Sequence, residues 1–229
     1  MSRSVVLAST PRCDRCRFAQ RWCICSAFQA IECPLEIDVL IHHREFMRPT
    51  STGRLINRVV PASRRHLFRR ETPPTREMIA LPNKELWILH PRGELVSEAE
   101  PPSGVQVLLL DGSWREAARM SQMVAPWGKL VRLPMNGPSR FRLREQQFTG
   151  NYSTIEALLF LFGALGLTKE ETQLRLQFEL HVYAGLRARG SKAAAAEYLA
   201  TSPVRDAFPT LLQEFDRVRP NFASFKPTG

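Results

Sequence analysis

Short apolar runs alternate along this chain with longer stretches of helical periodicity. Ile37-Asp38-Val39-Leu40-Ile41 reads as a first strand, ending at His42-His43-Arg44-Glu45. Thr50-Ser51-Thr52-Gly53 leads into a short helix over Arg54-Leu55-Ile56-Asn57-Arg58-Val59. Leu86-Trp87-Ile88-Leu89 reads as a second strand stopped by Pro91, and the acidic, proline-containing stretch from Pro91 to Gly104 as a surface loop. Val105 to Leu110 is the third strand; Lys129 to Leu133 is the fourth, stopped by Pro134. From Ser153 the pattern is helical. One helix opens at Ser153-Thr154-Ile155-Glu156 and runs to Phe162, and a second opens at the Thr168/Glu171 capping pair and runs to about Arg189. Ala193 to Ala200 and Asp206 to Arg217 read as two more. The order predicts an α/β fold with a mostly parallel sheet flanked by helices.

The third strand ends at the most informative junction. Val105-Gln106-Val107-Leu108-Leu109-Leu110 has the composition of a buried parallel strand and stops at Asp111-Gly112-Ser113-Trp114. Ser113 and Glu116 stand in a capping-box relation before Ala117, Ala118, Arg119 and Met120. Asp111 is therefore expected at the carboxyl end of a central strand, the edge where open α/β sheets bind ligands. A carboxylate there is placed for chemistry and poorly placed for packing.

Composition narrows the partners. The 229 residues suffice for one sizeable core, with residues 1–35 forming a cysteine-rich segment and 36–229 the main domain. Thirty-two Lys+Arg against 22 Asp+Glu give +10 at pH 7, which favours a polyanion, nucleic acid above a membrane surface. No apolar run reaches the length of a membrane span, the longest being Ala157 to Leu167, and no long apolar signal segment opens the chain. A cytoplasmic protein with reduced cysteines is expected.

Cys13-x2-Cys16-x6-Cys23-x-Cys25 places four thiols within 13 residues, a spacing that lets two close pairs converge on one structural zinc ion. Cys33 reads as a buried lone cysteine. Arg12, Arg15, Arg17 and Arg21 interleave with the cysteines, Arg64, Arg65, Arg69 and Arg70 cluster before the second strand, and Arg140, Arg142 and Arg144 alternate. As a set they suit phosphate recognition. The Ser153–Glu156 turn is a helix cap whose free N–H groups can also hold a carboxylate. His42 and His43 read as structural. Trp114 either lines a pocket or packs in the core.

Assembled in order, these pieces resemble the DTW-domain family of tRNA-uridine aminocarboxypropyltransferases over nearly the whole chain. The resemblance rests on the cysteine knuckle, His42-His43-Arg44-Glu45 with Thr52-Gly53, Leu109-Leu110-Asp111-Gly112-Ser113-Trp114, Ser139-Arg140-Phe141-Arg142-Leu143-Arg144, and Ser153-Thr154-Ile155-Glu156-Ala157. Ser113 stands where the family's name implies threonine and keeps its hydroxyl. The resemblance implies a SPOUT-like fold with a C-terminal knot holding S-adenosylmethionine. It also implies transfer of that molecule's 3-amino-3-carboxypropyl group to N3 of a tRNA uridine, leaving 5′-methylthioadenosine. Thr52, Gly53, Leu110, Gly112, Ser113, Trp114, Arg140, Arg142, Ser153, Thr154 and Glu156 are then the residues expected to bind the donor, and Arg64, Arg65, Arg69, Arg70 and Arg144 to bind RNA. Asp111 is expected to take the imide proton or to orient the imide, with Asp111→Ala leaving the protein folded. An RNA methyltransferase using the same donor, or a non-catalytic RNA-binding zinc protein, are the rival readings.

Overall fold

The computed structural model describes residues 10–96, 103–144 and 151–217; part of the expected Pro91–Gly104 loop, residues 97–102, and the N-terminal residues 1–9 lie outside it. Its strands are β1 (Glu36–His42), β2 (Arg64–Phe68), β3 (Glu85–Leu95), β4 (Val105–Asp111) and β5 (Lys129–Arg132). They form one parallel sheet in the order β2-β1-β4-β3-β5. The helices are α1 (His43–Phe46), α2 (Thr52–Val59), α3 (Arg76–Ile79), α4 (Trp114–Val124), α5 (Thr154–Ala164), α6 (Thr168–Ala188), α7 (Lys192–Ala200), α8 (Val204–Ala207) and α9 (Pro209–Asp216).

Strand alternation sorts the core onto two faces. Val105, Val107 and Leu109 of β4, with Ile37, Val39 and Ile41 of β1, meet α2, α5 and α6. Leu108 and Leu40 point the other way, toward Ile79 of α3 and Met120 and Val124 of α4. Both faces of β4 are covered, as its unbroken apolar run requires. The cysteine-rich segment shares the larger face: Phe18, Trp22, Ile24 and Ile31 are buried in it, and Gln177 of α6 donates to the Ala27 carbonyl at 2.9 Å.

Four expectations change. Arg64–Phe68 is a fifth strand at the sheet edge, hidden in the sequence by its charged and exposed positions. β3 continues past Pro91 to Leu95, because Pro91 falls where pairing with β5 is interrupted between Leu89 and Glu94, so its missing N–H breaks no rung. Gly93 lets the backbones close there: a Cβ would lie 2.4 Å from Leu130 C and Val131 N. Thr168 makes no cap, since Leu167 holds that position and Glu171 pairs with Arg175. Asp206–Arg217 is two helices, with Pro209 opening the second.

Candidate active site

Strand order places a switch point between β1 and β4. From β1 the chain leaves toward β2 on one side, and from β4 toward β5 on the other. Ligands of open α/β sheets bind in the crevice beyond such a point. Asp111 is the last residue of β4, opposite Ile41 of β1, and only 3% exposed.

Its carboxylate joins two helix N-termini. From the start of α2, Ser51 Oγ donates to Oδ2 at 2.8 Å and Thr52 Oγ1 to Oδ1 at 3.3 Å. From the start of α5, Thr154 Oγ1 donates to Oδ1 at 2.7 Å and reaches the Leu110 carbonyl at 3.1 Å. Burial and the Glu45 carboxylate push the Asp111 pKa up, against the pull of Thr154, Ser51 and the Gly53 N–H. Gly53 permits this seat, since a Cβ there would stand 2.7 Å from the Asp111 Cβ. An ionised carboxylate offers about four acceptor positions, and four donors meet this one. Asp111 is thus well placed for packing, contrary to the expectation drawn from its strand-end position.

Beside it, α4 begins with the predicted capping box. Ser113 N–H donates to Glu116 Oε2 at 2.8 Å, and Ser113 Oγ accepts from Glu116 N–H. Glu116 Oε1 faces His42 Nδ1 at 3.1 Å. Burial opposes it, yet the Ser113 donors and His42 hold Glu116 below the usual carboxylate range. Trp114 opens the helix with its side chain 47% exposed, so it lines a pocket and does not join the core.

A cavity of about 980 Å³ lies over this edge. Its walls bring together Thr52, Leu110, Asp111, Gly112, Ser113, Trp114, Ser153 and Thr154, with Arg144 at the side. Gly53, Arg140, Arg142 and Glu156 are not among them. Arg140 is held by both oxygens of Glu179, at 3.3 and 2.9 Å, and by Thr201. Buried Glu156 accepts from Ser139 Oγ, the Arg140 N–H and Ser153 N–H at 2.7–3.0 Å, clamping the 139–140 turn to α5. Arg142 is exposed away from the cavity. These three expected donor contacts lie where ion pairing and capping, or the turn's direction, have taken them.

Among the expected RNA-binding arginines, Arg64 is engaged internally. It donates to fully buried Asp38 at 2.9 Å and to the Ile79 carbonyl at 2.8 Å. Arg144 is bound to Glu45 and to Thr50 Oγ1. Arg65, Arg69 and Arg70 are exposed. Sequence reasoning missed Ser51 and the arginines that do line the cavity, among them Arg44, Arg92, Arg115 and Arg119. Arg115 and Arg119 stand four apart on the helix that Trp114 opens, so a shared helix face leading from the Asp111 turn was the available signal.

The model of the DTW domain matches residues 10–185, from the cysteine knuckle through most of α6. The chain belongs to the DTW-domain family. This is the domain of a family of tRNA-uridine aminocarboxypropyltransferases. No solved structure matches the chain significantly.

The matched region of this DTW protein includes four cysteines placed so that they could hold a metal ion. Cys13 and Cys25 sulfurs lie 3.7 Å apart, Cys16 and Cys23 sulfurs 3.8 Å, and all four within 4.8 Å of one another. Zinc–sulfur bonds of about 2.3 Å in a tetrahedron separate the sulfurs by about 3.8 Å, so the set can hold zinc. Burial alone would raise the Cys13 thiol, but N–H groups of Cys16 and Arg15 and the thiols of Cys23 and Cys25 bring it to about 7. Four thiolates leave no coordination position for substrate, so an ion held by all four would be structural. Cys33 stands outside the group, its thiol pushed up to about 11 by burial. Among the described residues no helix of this DTW protein is long and apolar enough to cross a membrane.

Proposed function

We propose that this protein transfers the 3-amino-3-carboxypropyl group of S-adenosylmethionine to N3 of a uridine in tRNA, with 5′-methylthioadenosine as co-product. The observation that carries the reading is the cavity at the switch point, walled by the family's Asp111-Gly112-Ser113-Trp114 turn and edged with arginines. Its size accommodates a donor and a nucleobase together. The reading includes the SPOUT relation and the C-terminal knot that the family implies.

The donor's sulfonium supplies the activated leaving group, so the chain's task is mainly to position two reactants. Thr52, Leu110, Gly112, Ser113 and Trp114 would hold the donor, with the Ser153–Thr154 turn offering helix-end N–H groups to its carboxylate. Trp114 presents an exposed ring on which a base can stack. Arg92, Arg115 and Arg119 supply the positive edge for the RNA. Asp111 acts chiefly as a positioning residue. With four donors already on its two oxygens, a proton can settle there only if one hydroxyl turns from donor to acceptor, which favours orienting the site over accepting the imide proton.

The test is incubation with unmodified tRNA and S-adenosylmethionine labelled in its carboxyl group, followed by nucleoside digestion. Label is expected in a uridine derivative, with methylthioadenosine released. Label reaching RNA only from the methyl group, with S-adenosylhomocysteine released, identifies a methyltransferase instead. RNA binding without any S-adenosylmethionine binding by calorimetry identifies a non-catalytic RNA-binding protein.

A further inference from the structure

A second cavity, of about 370 Å³, lies between the cysteine knuckle, α2 and the edge strand β2. Five arginines line it: Arg15 and Arg17 from the knuckle, Arg54 and Arg58 from α2, and Arg65 from β2. Asp14 is the sole acidic residue on its walls, and its fully exposed carboxylate stands 3.7 Å from Arg17. Arg15, Arg54, Arg58 and Arg65 make no ion pair with an Asp or Glu among the described residues.

The deepest of the five is the most telling. All three guanidinium nitrogens of Arg58 are shielded from water, and none has a hydrogen-bond partner. A buried donor left unmade is costly, and a charged one more so. Burial pushes the Arg58 pKa down, against the opposing pull of the knuckle sulfurs of Cys16, Cys25 and Cys23. With zinc bound the four knuckle sulfurs carry two negative charges, so with Asp14 they still leave positive charge in excess. Burial and the neighbouring Arg17, Arg65 and Arg58 also push Arg54 below its ordinary value. Arg54 and Arg65 flank the ring of Phe46, at 5.2 and 4.7 Å from its centroid, so their planar groups are held in place.

Arg17 adds an independent sign. Its φ of 64° is the left-handed conformation that glycine or asparagine adopts more readily. The turn needs that backbone shape, which glycine would also supply, while the Arg17 side chain lines the cavity.

We propose that this cavity is a docking site for the phosphodiester backbone of RNA, with a phosphate held by Arg15, Arg17, Arg54 and Arg65 above the buried charge of Arg58. Guanidinium forks match phosphate oxygens bidentately, and the volume exceeds one phosphate, as a continuing backbone requires. The proposal rests on tRNA being the substrate. The geometry suits that substrate, because one short segment serves both cavities. Arg44, Arg48 and Thr52 face the larger one, while Phe46, Met47 and Arg54 face the smaller. RNA held here would lie alongside the entrance to the reaction site.

The test uses the full chain with zinc, carrying Arg17→Gly and Arg65→Gln together and singly. Glycine adopts the φ of Arg17 without strain, and Arg65 is exposed on an edge strand, so fold and zinc content are expected to be kept. Binding of tRNA is followed by fluorescence anisotropy over a salt series. The double variant is expected to bind about tenfold more weakly, with a log–log salt slope shallower by about one, and each single variant about threefold more weakly. Unchanged affinity and slope, beside a wild type that binds tRNA, overturn the docking site and leave the proposed reaction standing. A wild type that binds no tRNA overturns both. Calorimetric binding of inorganic phosphate that the double variant loses, with tRNA affinity unchanged, identifies a small-anion site and overturns RNA docking.

Discussion

Asp111 meets hydroxyls from two helices and a backbone N–H from one of them, so removing its charge unsettles three elements at once. Asp111→Ala is therefore not the neutral change that strand-end placement suggested. Asp111→Asn keeps the shape but turns an amide donor toward hydroxyls that already donate. A loss of about 3 kcal/mol in urea unfolding is expected, by the cost of breaking one side of a buried charged cluster. Replacing a residue that serves chemistry alone commonly leaves stability intact or improves it. An Asn variant with wild-type unfolding midpoint but no transferase activity would restore Asp111 to the role of base. That the strand would end in a carboxylate beside a capped helix was legible from Val105 to Glu116. Its partners were not, because Ser51 and Thr154 approach from 60 residues before and 43 residues after.

At the level of elements, reading succeeded where one periodicity governed and failed where two demands competed. β4, α4, α5 and α6 announced themselves by long apolar patterns and two true capping boxes. β2 did not, since Arg64 and His66 point inward to buried Asp38 and mimic a solvated charge run. Gln106 completes that cluster, donating to Asp38 at 2.8 Å. β3 was cut short for the opposite reason: Pro91 ends most strands, and only the neighbouring register shows that its rung is already absent. The close approach at Gly93 makes this part of the sheet intolerant. Gly93→Ala is expected to lower the melting temperature by well over 10 °C or to abolish soluble protein, because backbone of β5 must move aside. Gly163→Ala in α5, where the added Cβ finds ordinary contact with Glu171, is expected to be neutral or to gain up to about 1 kcal/mol. Calorimetry of both variants checks the contrast; equal melting temperatures would refute it.

For the whole molecule, the cysteine knuckle is continuous with the main core, and its metal should matter beyond its own residues. One equivalent of zinc is expected in purified protein. A strong chelator should lower the melting temperature of the entire domain in one transition, since Phe18, Trp22 and Ile24 share a core with α6 and α9. Well under one equivalent of metal, or a melt indifferent to chelator, would refute the zinc site. Net charge agrees with a family whose domain suggests a tRNA substrate, but did not say which arginines face outward; that depends on packing partners distant in sequence. The same remoteness governs how the protein is made. Every pairing in the described sheet is parallel, so the sheet gains no early hairpin, and the central pairing of β1 with β4 waits for residue 111 to leave the ribosome. Phe18 waits longer, for His181, and Trp22 longer still, for Phe215. In that interval the four cysteines, spaced within 13 residues, could gather around a metal ion without any distant residue, so metal delivered during synthesis would act as a kinetic guard on the knuckle.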